Sequence, residues 1–312
     1  VDVYAGNTRL LDNFEFRKAT PFISVPADRA IAFGVAGENS ATAADAIATF
    51  PVTLEAGKTY AVFANGIVGN ATTPFTLLAD AARETASNPA KVEFATLHGS
   101  PGAPAVDVQV AGGGPTLVSN LAYGAFTPYL AVDPANYVLR VKVAGTPNVV
   151  GVFQANLSAI GGQAARVFAS GFVGGTPAFG LFAALADGSV IEFPLLPPPP
   201  TARVQLIHNA ASPLVDVYAD GEMLIDNFKY RSATPFLNLT ADQTVQIAVA
   251  PANSSSAADA IATFPVQFDK TKTYVVSASG IVGDPTTPFT LLVNDKGLEA
   301  SLAPTKVAVS VL

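Results

Sequence analysis

The chain has 312 residues and a net charge of −7, from 17 Lys and Arg against 24 Asp and Glu, and it contains no cysteine. The lack of thiols excludes a disulfide framework and thiolate metal sites, and so few cations leave no basic stripe for nucleic acid or an anionic membrane. No apolar run reaches the roughly 18 residues a spanning helix needs, so membrane insertion is not expected.

Taken in chain order, the first third carries VDVYA (1–5), DNF (12–14), ATPF (19–22), AADAIATFPV (43–52), GIVG (66–69) and TTPFTLL (72–78). Each block returns, letter for letter and without a gap, 214 positions later. The middle third keeps the order in a weaker form: VDVQ at 106, SNL at 119, FTPY at 126, SGFVGG at 170 and AFGLF at 178. The chain therefore reads as repeats A, B and A, over residues 1–86, 90–194 and 201–296, each long enough for a core of its own.

In the third repeat RVQLI (203–207) and VDVYA (215–219) alternate as strands do, and Asp220-Gly221 supplies hairpin turn chemistry ahead of LIDNF. TVQIAVA (244–250) reads as a further strand and PANSSSAAD as a polar loop. IATFPVQF and TYVVSASG flank DKTK as a second expected hairpin, and PFTLLV closes the unit. Within AADAIATFPV, Ala260, Ala262, Phe264 and Val266 fall on one face and Ile261, Thr263 and Pro265 on the other. Pro265 cannot donate to a ladder, which places the strand at a sheet edge or a bulge. Seven or eight short strands per repeat predict an all-β protein of three tandem antiparallel β-sandwiches, Ig-like in class.

The stretch RVQLIHNAASPLVDVYADGEMLIDNFKYRSATPF (203–236) resembles the tandemly repeated domain of bacterial cell-surface and secreted proteins known only as a domain of unknown function. The resemblance covers all three repeats, strongly for the A copies and weakly for B. It implies a β-sandwich, export and tandem repetition, and it brings no catalytic residues.

No catalytic, cofactor or metal site is expected. His98 and His208 sit at comparable places, each just after a first strand. There is no G-x-S-x-G elbow, and single histidines in separate sandwiches do not make a metal site, so a structural imidazole bonded to backbone, Asp107 or Asp216 is expected. Asp216, Asp220 and Gly221 lack the spacing of a calcium loop, and AGGGP (111–115) lacks the Lys-Ser/Thr of a phosphate cradle and reads as a hairpin turn. Trp is absent, which weakens a sugar-stacking platform, although eight Tyr remain. Asn70, Asn156, Asn238 and Asn253 begin N-x-S/T sequons, which a bacterial origin would make incidental.

The linkers differ. FPLLPPPPTARV (193–204) favours an extended polyproline rod, whereas DAARETASNPAK (80–91) is polar with no rod. At the ends the repeats are out of phase: the strand that precedes VDV in the other repeats is missing before Val1, and PTKVAVSVL (304–312) aligns with PAKVEFATL (89–97). Two expectations follow. Either the segment is a window on a longer array, or Val307, Val309, Val311 and Leu312 form a donor strand that pairs with an acceptor edge at Val1 and Val3. The function expected is a non-catalytic structural repeat of an extracellular or cell-surface bacterial filament, stalk or appendage. Its partner would be itself or neighbouring repeats, and the alternative is an adhesin or module binding a surface glycan.

Overall fold

The computed structural model describes residues 1–146, 148–211, 214–300 and 305, so Val307, Val309, Val311 and Leu312 lie outside the described residues. The first repeat contributes β1 (Asp2–Ala5), β2 (Thr8–Leu11), β3 (Ala30–Ala36), β4 (Ala46–Thr53), β5 (Tyr60–Asn65) and β6 (Thr76–Ala81). The middle repeat contributes β7 (Val92–His98), β8 (Val106–Val110), β9 (Thr116–Leu121), β10 (Leu130–Val132), β11 (Asn136–Val143), β12 (Val149–Asn156), β13 (Ala164–Ser170), β14 (Gly180–Leu185) and β15 (Val190–Phe193). The third contributes β16 (Thr201–His208), β17 (Val215–Ala219), β18 (Glu222–Phe228), β19 (Ser232–Ala233), β20 (Leu237–Thr240), β21 (Thr244–Pro251), β22 (Ala262–Gln267), β23 (Thr273–Ser279) and β24 (Thr290–Asn294). Among the described residues no helix is long and apolar enough to cross a membrane.

The third repeat shows the plan. One sheet runs β18-β17-β21-β22; in the other, β16 lies between β23 on one side and β19 and β20 on the other, and β24 pairs with β23. The hairpin from β17 to β18 turns at Asp220 and Gly221, with φ of 48° and 81°, the double left-handed geometry such turns require. Pro265 lies on β22, an edge strand, where its missing donor costs no ladder bond. Between the sheets Val204, Leu206, Val217, Ile247, Val249, Phe268 and Val276 form the core.

Two expectations needed correction. β22 and β23 are not a hairpin: β22 pairs with β21, and β23 with β16 and β24, so DKTK crosses from one sheet to the other. The crossover is pinned by Lys270 Nζ on Asp242 at 2.8 Å. The sandwich is also not wholly antiparallel, because β16 runs parallel to β23, as β7 does to β13.

The quoted repeat begins with a turn. Ala257–Asp259 is a 3₁₀ turn whose Asp259 carboxylate accepts the N–H groups of Ser255 and Ser256, at 2.8 and 3.1 Å, and Ala43–Asp45 does the same for Ala41 and Thr42.

The chain divides into two compact units, residues 1–111 with 115–196, and 112–114 with 197–312. The first and middle repeats thus form one unit. The middle repeat has a complete core around Phe153, Val141, Val92 and Phe193. In the first repeat β2-β1-β3-β4 is complete, and among the described residues the opposing sheet consists of β5 and β6.

Candidate assembly interface

The recurring motifs are structural staples. In the third repeat the buried Asp216 carboxylate accepts from Asn227 N–H at 2.9 Å and Ser254 Oγ at 2.6 Å, and Tyr218 OH lies 2.8 Å from the same hydroxyl. Asp2 repeats this with Asn13 N–H, Ser40 Oγ and Tyr4. In the middle repeat Asp107 accepts from Asn120 N–H at 2.7 Å and Gly145 N–H at 3.0 Å. Asn13, Asn120 and Asn227 all adopt left-handed backbone, φ 51°, 48° and 54°. VDV and DNF are therefore one device: the aspartate holds the donor that an asparagine turns inward. The Ser40 hydroxyl, above all, holds the Asp2 carboxyl below its usual range. Burial pushes Asp216 up, but the Asn227 and Ser254 hydrogen bonds outweigh it and the net shift is downward.

The GIVG and SGFVGG loops have an equally local cause. Gly66, Gly171 and Gly280 sit at φ 85–87°, and a Cβ on any of them would come within 2.1–2.2 Å of a facing carbonyl oxygen. In the same loop Asp284 accepts from Thr286 and Thr287, with the Thr286 hydroxyl foremost, and its carboxyl falls to about 2. Asn70 makes the matching turn with the Thr72 and Thr73 N–H groups, and Asn238 Oδ1 accepts from Arg203.

The histidines are buried at the ends of β7 and β16. His98 Nε2 lies 2.9 Å from Pro104 O, and Ser100 N–H points to Nδ1 at 3.4 Å, so its partner is backbone and Asp107 is engaged elsewhere. Burial depresses the His98 pKa. His208 packs on the rings of Phe228 and Tyr230, at 5.6 and 6.1 Å between centroids. Two small hollows lie inside the sandwiches, walled almost wholly by core hydrophobics such as Leu206, Val217 and Ile247 in one and Phe94, Leu139 and Phe193 in the other. Among the described residues no three His, Asp or Glu converge as metal ligands would.

Polar groups converge instead where the first repeat meets the middle one. The buried Arg166 guanidinium on β13 donates to Asp80 Oδ2 at 2.6 Å and to Ala81 O, both on β6, and its centre lies 4.8 Å from the Tyr129 ring. Arg83 bonds Glu93 on β7 at 2.5 Å and covers Tyr129 at 4.8 Å. The Ser87 hydroxyl, ahead of Arg83, keeps the Glu93 carboxyl below its usual range. Phe63 on β5 meets Phe126 and Phe168 with centroids 5.7 and 5.8 Å apart. Arg17, at φ 61°, donates to Ser170 O and Ala178 O and lies 4.4 Å over Phe182. Motif reading did not find this face. A signal existed in the differences between the two A copies, since Phe63, Asp80 and Arg83 are replaced by Ser277, Asn294 and Gly297.

The expected acceptor edge at Val1 and Val3 is not an edge. β1 pairs on both sides, Val3 with Leu11 of β2 and with Val35 of β3, and the Val1 ammonium donates to Phe14 O at 3.0 Å. In the two complete repeats the strand ahead of VDV lies in the opposing sheet, β7 opposite β8 and β16 opposite β17, so it is not the sheet partner of VDV.

A family of known sequences accounts for the repeats: DUF4397, a domain of unknown function, matches residues 1–109, 95–188 and 202–312. The chain belongs to the DUF4397 family. It is a tandem array of DUF4397 β-sandwich repeats. No curated protein matches it significantly. Solved structures that resemble it include a family-26 carbohydrate-binding module from Eubacterium rectale Amy13K in complex with maltoheptaose, at 11% identity and TM-score 0.20 over 67% of this chain and 98% of that one. A streptococcal virulence factor described for α-glucan binding follows at 10% identity and TM-score 0.19, over 65% of this chain and 96% of that one. Superpositions of that quality carry nothing from those proteins to this DUF4397 chain.

Proposed function

We propose that this DUF4397 chain is a non-catalytic structural module of an extracellular or cell-surface bacterial array, a filament, stalk or appendage, in which binding energy goes into repeat-to-repeat docking. The observation that carries the reading is the Arg166 contact with Asp80 and Ala81 across a repeat boundary. A buried cation whose hydrogen bonds to Asp80 and Ala81 cross to the neighbouring repeat makes docking specific, because separation leaves those partners without it. Of the eight tyrosines, Tyr4, Tyr218 and Tyr274 are buried and Tyr129 lies between two guanidiniums, so these four are not free to stack on sugars, whereas Tyr230 is exposed.

Electron microscopy of native material tests it, with fibres or stalks as the expected result. A glycan array is the competing test. Saturable binding of one glycan class by isolated, unassembled protein would replace the scaffold with the glycan-binding alternative.

A further inference from the structure

Equivalent positions meet where the first repeat docks on the middle one. Phe63 on β5 and Phe168 on β13 hold the same place in their repeats, just ahead of the glycine loop, and their rings touch with centroids 5.8 Å apart. The contacts around this pair are reciprocal. Arg17 of the first repeat reaches the glycine loop of the middle one, donating to Ser170 O at 3.0 Å and Ala178 O at 2.5 Å above the Phe182 ring. In return the glycine loop of the first repeat reaches the middle one, where Asn65 Oδ1 comes within 3.4 Å of the place a Cβ on Gly99 would take. A position that touches its own equivalent, with exchanged contacts about it, marks a two-fold arrangement. Only one of its two guanidiniums is present, because four residues after the turn asparagine the first repeat has Arg17 and the middle repeat Gly124, both left-handed at φ 61° and 78°.

The third repeat carries both halves of this contact. Arg231 stands four residues after Asn227, at φ 62°, and its exposed guanidinium rests on the Tyr230 ring at 4.9 Å. The receiving loop has the same shape: a Cβ on Gly280 would lie 2.2 Å from Pro288 O, as one on Gly171 would from Ala178 O. Leu292 takes the place of Phe182, opposite the residue two before the loop glycine's neighbour on each hairpin. Phe182 is 4% exposed beneath Arg17, whereas Leu292 is 57% exposed. We propose that the third repeat is a self-pairing surface whose partner is the third repeat of a second copy of this chain. The two dock about a two-fold axis, each Arg231 donating to Ser279 O and Pro288 O of the other copy above its Leu292. Residue differences select this partner over a middle-type repeat. Docking on a middle-type repeat uses Asp80 for Arg166 and Arg83 for Glu93, and the third repeat has Asn294 and Gly297 at those positions. A middle-type repeat also offers glycine where a second third repeat offers Arg231. The inference rests on the docking reading of the repeats and names a further partner. A two-fold contact closes on itself, so it joins two arrays side by side and does not lengthen one.

Sedimentation of the 312-residue chain over a range of concentrations tests it, and a reversible monomer–dimer equilibrium is expected. Arg231→Gly keeps the left-handed turn, as Gly124 does in the middle repeat, and removes both guanidiniums from the dimer, so it should weaken association by more than about tenfold. Circular dichroism checks that the variant is folded. Arg17→Gly makes the same change on the face between the first and middle repeats and should leave the dimer constant unchanged. Spin labels read the geometry. Val68 and Val173 stay exposed at the loop tips of the docked pair, and Val282 is their counterpart. The chain has no cysteine, so a nitroxide on Val282→Cys should give one distance between copies. It should match the distance between labels on Val68→Cys and Val173→Cys within one chain, measured in an excess of unlabelled protein. A chain that stays monomeric, a dimer indifferent to Arg231→Gly, association that grows past the dimer, or an unmatched distance would overturn the pairing. Dimers in a protein that forms no fibres would remove the filament reading and leave the pairing standing.

Discussion

Replacing Arg166 by methionine keeps the apolar stem and removes the guanidinium from the face between the first and middle repeats. The lost contacts are the 2.6 Å bond to Asp80, the bond to Ala81 O and the stacking on Tyr129. Breaking a fully buried pair costs about 3–5 kcal/mol. Asp80 keeps about a third of its side chain in solvent, and water takes back part of that cost, which leaves about 2 kcal/mol. At 1.4 kcal/mol per decade this is roughly a 30-fold shift in the docking equilibrium. Amide hydrogen exchange read by mass spectrometry resolves it by region. Amides of β5 and β6 should exchange roughly 30-fold faster, with the third repeat as an unchanged internal control. If β5 and β6 keep their wild-type protection, the arginine does not hold the repeats together and the docking argument is wrong.

Asp216→Ala strands the Asn227 N–H and the Ser254 hydroxyl, each worth about 1–3 kcal/mol when left unsatisfied. Because Ser254 can turn to Tyr218, a loss of about 2 kcal/mol in urea unfolding of the third repeat is expected, and an unchanged midpoint would deny the staple. The depressed pKa of buried His98 means that the folded state binds fewer protons than the unfolded one. Its contribution is therefore complete above pH 6.5 and is lost as pH falls through the lower folded value, so the middle repeat should destabilise on acidification, and His98→Gln should flatten that slope. Carboxyl NMR should find Asp284 titrating near 2, and Thr286→Ala should return it toward the ordinary aspartate value, since that hydroxyl is its main stabiliser.

Strand identity was legible because alternation and turn chemistry are local. VDVYA, TVQIAVA and TYVVSASG became β17, β21 and β23, and Pro265 marked an edge. Sheet membership was less legible. DKTK has hairpin length but no Asn-Gly or Asp-Gly, and its crossing is decided by β16, a strand some 65 residues earlier, which claims β23. The docking face was hidden for another reason: Arg17, Phe63, Asp80 and Arg166 are far apart in sequence and belong to no motif, and only folding brings them together. The VDV aspartate was visible, but its partner was not, because pairing with Asn227 depends on a left-handed backbone that sequence spacing does not reveal.

The ten residues 43–52 and 257–266 are identical, yet Val52 is half-buried and Val266 is buried. Both strands lie on the edge of a complete four-stranded sheet with corresponding partners, β3 and β21, so local pairing cannot be the cause. What differs is the opposing sheet, which carries β16 in one copy and, among the described residues, has no counterpart of it in the other. In this sandwich alternation is set within a sheet, whereas burial is set by the sheet across from it. The sheet holding VDV, its aspartate staple and the AADAIATFPV strand keeps its register whether or not the second sheet is full.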